Sequence, residues 1–158
     1  MLIQDELKCI ADKIKTKLCL DNLLYMYSPI DEFHKKLTAT KDKPDKYPLF
    51  FLNSDNVRKE GDVWTVGDII VATLSNKDFN REKRDEYNVK QVLIPIYEEM
   101  LRRLTFDKHL SLYKEGRFEI KYGKTFFEGG AEVPDFVDAI HLKNFQFRIQ
   151  ECKIIKTK

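Results

Sequence analysis

The sequence has few cysteines and no long apolar run. Its three cysteines cannot all pair and lack the spacing of a metal site; they are Cys9, Cys19 and Cys152. The first two fall on one predicted helix about 15 Å apart, which is too far for a disulfide. We therefore expect reduced thiols and assembly in a reducing interior. No segment approaches the roughly 18 consecutive apolar residues of a membrane span, so we expect no membrane contact.

The chain also lacks an excess of either charge. Its 28 basic and 26 acidic residues leave a formal net charge of +2, whereas a general nucleic-acid binder carries a far larger positive excess. Met1–Glu6 has neither the basic flank nor the apolar core of a signal peptide, which predicts synthesis in the cytoplasm of the producing cell. Residues 143–158 hold five cations and one acidic residue. This predicts a solvated basic tail at 151–158, with contact to an acidic neighbour or to DNA phosphates as the alternative.

What the sequence does contain is enough apolar material for one packed domain. Hydrophobic residues make up 42% of its 158 residues and charged residues 34%, far from a disordered composition. A chain of this length buries about 70% of its unfolded surface, enough for a core without covalent staples. We therefore predict a single domain over 1–158. Aromatic residues reach 12%, which favours both core packing and protein contact surfaces.

The spacing of apolar residues predicts two helices and several strands. Apolar positions three and four residues apart predict helices over 2–20 and 89–104, with Pro95 as the point where the second helix starts or kinks. Short apolar or alternating runs predict strands at 48–52, 63–74, 116–122 and 136–149. The glycine-rich stretch 128–132 between the last two strands predicts a long β-hairpin. Strands and helices do not alternate regularly, so we predict an α+β fold with a mostly antiparallel sheet and two helices on one face.

Two stretches show neither the helical nor the strand pattern of apolar residues. Residues 23–47 are the least regular, with a short strand at 24–27 and one or two helical turns near Phe33 as the signs of order. We predict that this stretch is an irregular surface insertion or contact arm. Residues 76–87 carry mixed charges and predict a charged connection. Its run Arg81–Glu86 is expected to be solvated, with a subunit contact by charge complementarity as the alternative.

One pattern has the form of a catalytic site. Pro134-Asp135 followed by Glu151 and Lys153 is similar to the PD-(D/E)xK nuclease signature. In that signature paired carboxylates bind a divalent metal and the lysine positions the attacking water. A metal-dependent nuclease is therefore one alternative function.

Other catalytic patterns are missing from the sequence. There is no nucleophile motif and no phosphate-binding loop. The histidines lie in separate predicted elements without metal-ligand spacing, as is typical of ordinary core or surface residues; they are His34, His109 and His141. We therefore predict a protein that is not an enzyme and has no metal or cofactor.

Several sequence segments, taken together, resemble those of a known family. The segments are 48–52, 68–74 followed by 76–79, 81–87, 92–101 and 136–149. In this order they resemble the neck proteins of tailed phages, most closely the tail-terminator and head-to-tail joining proteins of phages and prophages of Bacteroides-type bacteria. The likeness covers about 1–20 and 48–150 and leaves 23–47 outside.

This resemblance implies a curved, mostly antiparallel sheet backed by helices, and a structural role in the virion. Identical copies of such proteins form a ring in the neck or tail, between the portal side and the tail, and DNA passes through the lumen as cargo. The implied partners are copies of the same chain and neighbouring portal, connector and tail proteins. The residues predicted to make these contacts are Tyr25, Tyr27, Arg81, Lys83, Arg84, Phe126, Phe127, Lys153 and Lys156. A small adaptor that binds one protein partner is the second alternative function.

Overall fold

The structure is a computed structural model that describes residues 2–39, 47–107, 109–123 and 135–150. Its helices and strands are α1 (Ile3–Lys17), β1 (Leu24–Ser28), α2 (Ile30–Ala39), β2 (Leu49–Asn53), β3 (Val57–Glu60), β4 (Val63–Leu74), α3 (Arg81–Arg84), α4 (Ile94–Phe106), β5 (Leu110–Lys114), β6 (Arg117–Lys121) and β7 (Val137–Ile149). A π-helical segment, Asp85–Leu93, joins α3 to α4, and a 3₁₀ turn, Ser54–Asn56, joins β2 to β3. Within these ranges no helix is both long enough and apolar enough to cross a bilayer. The predicted α+β class is confirmed.

The seven described strands form one sheet whose main path runs β1-β2-β4-β7-β5. β1 and β2 are parallel and every other pair is antiparallel, as predicted for a mostly antiparallel sheet. β3 lies beyond β2 along one edge of β4, and β6 lies beyond β5 along one edge of β7. β6 and β7 are the two strands of the predicted long hairpin, and β5 pairs with the end of β7 beyond β6. The glycine-rich turn predicted at 128–132 lies outside the described residues.

Helices cover both faces of the sheet. In β2, Phe50 and Leu52 cluster with buried residues of α1 and α4, whereas Leu49 and Phe51 cluster with α2. The two helices predicted on one face are therefore α1 and α4, and α2 covers the opposite face. There the Phe33 and Phe51 rings stack with their centres 3.8 Å apart. Aromatic contacts of this kind contribute strongly to a core because each ring buries a large apolar area.

The prediction of an irregular surface insertion at 23–47 is wrong for the part that the structure describes. Residues 24–28 form a strand and residues 30–39 form a helix. Met26, Phe33 and Leu37 are at most 5% exposed, so this segment belongs to the core. A helix of ten residues repeats its apolar stripe too few times for the period to stand out in the sequence.

The long helix begins eight residues earlier than predicted, at Arg81. Asn80 caps it, because its side-chain oxygen accepts a hydrogen bond of 2.9 Å from the backbone N–H of Lys83. The predicted charged connection is therefore helical from Arg81 onward. The π-helical segment ends at Leu93, two residues before Pro95. Proline has no backbone N–H and its ring clashes with the preceding turn, so a regular α-helix does not continue unchanged through Pro95.

In β4 and β7 the regular alternation of side chains between the two faces of the sheet is interrupted at paired positions. In β4, Val66 and Ile69 lie three residues apart yet face the same cluster, and Leu142 and Phe145 do so in β7. Regular alternation would put each pair on opposite faces. In β7 the change falls at Asn144, whose φ of +58° is left-handed. β7 continues through this residue as one strand.

Ile96→Asp is expected to unfold the domain, whereas Leu101→Asp should destabilise it less. Ile96 is fully buried in the layer between α4 and the sheet, where an unpaired charge costs several kcal/mol. Leu101 is only partly buried beside the same cluster. Thermal unfolding followed by circular dichroism measures both. A midpoint for Ile96→Asp equal to that of the parent protein would contradict the assigned packing.

Candidate functional site

Three cations of the predicted contact residues meet aromatic rings near the base of the hairpin, although the sequence did not single out those rings. The Arg81 guanidinium lies 3.6 Å from the centre of the Tyr122 ring, and that of Arg84 lies 4.6 Å from the centre of Phe136. Both distances are within the range of cation–π attraction. Lys83 similarly lies 5.9 Å from the ring centre of a phenylalanine at the start of the helix. We call this group the cation–aromatic cluster; its members are Phe79, Arg81, Lys83, Arg84, Tyr122 and Phe136.

A buried carboxylate, Asp138, fixes the base of this cluster. Asp138 is fully buried, and its Oδ2 accepts hydrogen bonds from Ser75 Oγ at 2.8 Å and Asn88 Nδ2 at 2.7 Å. Its Oδ1 accepts a hydrogen bond of 2.9 Å from the Gly123 backbone N–H. Ser75 follows β4, Asn88 lies in the π-helical segment, and Gly123 follows β6. One carboxylate thus joins the sheet, the long helix and the hairpin base, and a satisfied buried network of this kind is rigid.

Tyr122 ties the hairpin directly to the long helix. Its hydroxyl donates a hydrogen bond to the Asp85 carboxylate. Burial raises the pKa of Tyr122, and the hydrogen bond to Asp85 raises it further, against the lowering effect of Arg81. The hydroxyl therefore keeps its proton and remains a donor at neutral pH. The ring can then carry the Arg81 guanidinium on its face.

The other predicted contact residues do not join the cluster. Tyr25 and Tyr27 lie on β1, at the opposite side of the sheet. The Tyr25 hydroxyl donates to the Gln4 carbonyl at 2.8 Å, so this side chain holds α1 against the sheet. Tyr27 is 37% exposed. The remaining predicted contacts lie outside the described residues; they are Phe126, Phe127, Lys153 and Lys156.

The matched break in β4 and β7 coincides with a polar pocket on the α2 face. The pocket has a volume of about 280 Å³ and is lined by Asp55, Asn56, Arg58, Gly67, Lys143 and Asn144. At Gly67 a Cβ atom would come within 2.5 Å of the Asn56 Cβ, so the close approach of the 3₁₀ turn requires glycine. Gly67 is therefore a place where β4 and the 3₁₀ turn come close together.

Beside the pocket lies a buried acidic residue, Asp68, which is 1% exposed. Its Oδ2 accepts hydrogen bonds from Asn56 Nδ2 at 2.6 Å and Asn53 Nδ2 at 3.3 Å. Its Oδ1 lies 2.8 Å from His141 Nε2. Burial raises the pKa of Asp68, but the hydrogen bonds from His141, Asn56 and Asn53 together hold it below its usual value. An ionised carboxylate only accepts hydrogen bonds, so Nε2 carries the proton that points to Asp68.

The hydrogen bonds around Asp68 fix the shape of the pocket. They link Asn53 and Asn56, at the two ends of the 3₁₀ turn, to β4 and β7. The sequence predicted His141 to be an ordinary residue, and no local pattern links it to an aspartate 73 positions away. Only the register of β4 on β7, in which Ile70 lies opposite His141, brings the two side chains together. Polar residues within otherwise apolar strands are the sequence signal that marks both positions.

The predicted nuclease constellation lies only partly within the described residues. Asp135 accepts a hydrogen bond of 2.9 Å from the Tyr47 hydroxyl. Glu151 and Lys153 lie outside the described ranges. In the part of the chain that the structure describes, no three His, Cys, Asp or Glu side chains are placed to hold a metal ion. Cys9 and Cys19 are free and exposed.

No protein-family model matches the chain, and no curated protein matches it either. Function is therefore inferred from the residues and their arrangement.

Proposed function

We propose that this chain is a structural virion protein whose copies form a ring in the neck or tail of a tailed phage. The ring would join the portal side to the tail, and DNA would pass through its lumen. The observation that supports this most directly is that three exposed aromatic side chains of the described residues lie on outer strands of the sheet. Tyr27 is exposed on β1, and Tyr113 and Phe118 are exposed on β5 and β6, whereas Tyr87 and Phe106 are exposed on the long helix. These strands are the two opposite sides of the open sheet.

A ring of identical subunits needs two different contact surfaces on each copy. Head-to-tail contacts join unlike patches, and they close into a ring when the rotation between neighbours allows it. An open sheet with unlike edges provides such a pair of patches. Exposed aromatic side chains are enriched at protein contacts, because they bury a large area with little loss of side-chain freedom. The two edges therefore suit contact between neighbouring copies.

The cation–aromatic cluster suits contact with a neighbouring portal, connector or tail protein. Arg81 and Lys83 are exposed, yet both lie against rings of their own chain. Less conformational freedom is lost on binding when side chains are already positioned. Their positive charge would steer a partner with an acidic surface. The net charge of +2 for the whole chain suits a channel that DNA must leave, because few phosphate contacts form.

Mass measurement tests the proposal. The purified protein is expected to give a closed oligomer whose mass by light scattering is a multiple of 18.8 kDa, and electron microscopy should show rings. Plasmid DNA incubated with the protein and Mg²⁺ is expected to stay intact. A monomer at every concentration would contradict the ring. Mg²⁺-dependent cleavage that disappears in Glu151→Ala would establish the nuclease instead.

A further inference from the structure

We infer that the cation–aromatic cluster binds an acidic segment of a neighbouring neck protein, whose carboxylates pair with the guanidinium groups of Arg81 and Arg84. This inference rests on the proposed function and names the chemistry of one partner that the function requires. The occupant is thus a protein segment rich in Asp and Glu, rather than nucleic acid or another copy of this chain.

The cations at this surface carry charge that no carboxylate of their own chain neutralises. Lys77 lies beside the cluster, with its Nζ 6.0 Å from the centre of the Phe136 ring. Among the described residues, neither this lysine nor Arg81, Lys83 or Arg84 forms an ion pair. Three other arginines each contact a carboxylate at 2.6–3.0 Å; they are Arg102, Arg103 and Arg117. The charge of the cluster is therefore available to a partner.

The aromatic rings hold the two arginines by their faces. At 3.6 Å from the centre of the Tyr122 ring, the Arg81 guanidinium is in van der Waals contact with that ring. The N–H donors of a guanidinium lie in its plane and point out along its edges, in the fork that binds a carboxylate through two parallel hydrogen bonds. The Nε of Arg84 has no hydrogen-bond partner among the described residues. Both arginines thus retain donors for a carboxylate.

These side chains are positioned before any partner arrives. The Gly123 N–H donates to the buried Asp138 carboxylate, which fixes the hairpin base. A Cβ at Gly123 would lie 2.9 Å from the Phe136 ring and 3.5 Å from Arg84 Nη1, so the backbone packs closely against both side chains. Binding costs less free energy when the contact groups are already ordered.

An exposed aromatic side chain extends the surface. The ring of Tyr87 lies 5.6 Å from that of Phe79 between centres, and Tyr87 is 49% exposed. Phe79 also lies against Lys83. Arginine and aromatic side chains together supply most of the binding energy at protein contacts. The surface therefore suits a protein segment in which apolar side chains accompany the acidic ones.

A nucleic-acid backbone fits this surface less well. Asp78 and Glu82 alternate with the cations, so residues 77–84 hold four cations and two acidic residues. Affinity for DNA grows with the number of phosphates neutralised, and the interspersed carboxylates repel a continuous row of phosphates. The face of Tyr122 that carries Arg81 is also closed to a stacking base. Separate carboxylates on a protein segment can each lie beside a cation instead.

A labelled synthetic peptide tests the inference on the full chain. In the probe Asp and Glu alternate with Leu, and in the control peptide Asn and Gln replace the acidic residues. Fluorescence anisotropy measures the binding of each. The acidic peptide is expected to bind, and the control peptide is not. Binding should weaken as salt is added, because the contacts are partly exposed ion pairs.

Lysine substitutions distinguish the fork from charge alone. Arg81→Lys and Arg84→Lys keep the positive charge but remove the paired donors, so each is expected to weaken binding about tenfold or more. Arg117→Lys is the matched control, because Arg117 is an exposed arginine that already pairs with Glu119; it should leave binding unchanged. Circular dichroism checks the fold, and Arg81 is exposed, so at least that variant should retain it.

Four results would overturn the inference. The acidic peptide fails to bind, or both cluster variants bind it as the parent does. Labelled duplex DNA binds more tightly than the peptide and loses affinity in the same variants, which would assign the cluster to nucleic acid. Arg81→Lys loses the ring, which would make another copy the occupant. A monomeric parent that binds the peptide through these arginines would overturn the ring and leave the docking site, so the two failures are distinguishable.

Discussion

Asp68→Ala is expected to lower the free energy of unfolding by several kcal/mol, because each buried donor left without an acceptor costs about 1–3 kcal/mol. The change leaves the buried side-chain donors of Asn53 and His141, and the half-buried donor of Asn56, without their acceptor. For a domain of this size the melting midpoint should fall by roughly 10 °C. Urea denaturation of the two proteins measures the difference. A loss below 1 kcal/mol would contradict the network described around Asp68.

Asp68→Asn separates the charge from the shape of the side chain. The pKa of Asp68 is lowered in the folded protein, so its ionisation stabilises the fold above the unfolded-state pKa of about 3.9. That stabilisation is lost as the pH falls through the lower folded-state pKa. Parent protein should therefore lose stability below about pH 4 in part through Asp68, and the asparagine variant should lack that part. Identical pH dependence in the two proteins would contradict the lowered pKa.

Gly116→Ala is expected to detach β5 and β6 from β7. A Cβ at Gly116 would lie 1.8 Å from the Lys143 carbonyl oxygen and 2.7 Å from the Asn144 carbonyl. Both are backbone atoms of β7, which cannot rotate away as a side chain does. The expected loss is about 3 kcal/mol or more, at the upper end for overpacking. Thermal unfolding, with hydrogen exchange of the β6 amides, measures it.

Gly61→Ala is the matched control for this substitution. Gly61 has a φ of +61°, and nothing lies within 4 Å of the Cβ that alanine would add. Its expected effect is therefore only the left-handed backbone strain of about 1–2 kcal/mol. Gly61→Ala should also leave exchange in β6 unchanged. Equal destabilisation by the two substitutions would contradict the close approach of Gly116 to β7.

The parts of the fold that the sequence predicts are those with a local period. In α1, Ile3, Leu7, Ile10 and Ile14 recur at helical spacing, and all four are at most 1% exposed. The apolar run that forms β4 is similarly unambiguous. The α2 helix escapes prediction because it is short. The start of the long helix escapes because its first turns are charged and pack against residues of the hairpin rather than the core.

The candidate site is harder to predict, because pairings distant in sequence create it. Arg81 and Arg84 stand out in the sequence as cations in a charged run, but their aromatic partners come from the hairpin. The network around Asp68 depends on the register between β4 and β7, which no short pattern specifies. Contact roles for the cluster, for Tyr27 and for the undescribed Phe126 and Phe127 stay predictions, as does the ring.

Because the π-helical segment lies between α3 and α4, the two ends of the long helix face different parts of the domain. Toward its C-terminal end α4 turns Ile96 and Met100 to the sheet, while α3 turns Arg81 and Arg84 to the hairpin base. Deleting one residue between positions 85 and 93 would rotate the leading turn by about 100° relative to the rest. A single insertion or deletion in this segment would therefore change the direction in which Arg81 and Arg84 face, while α4 keeps its packing against the sheet.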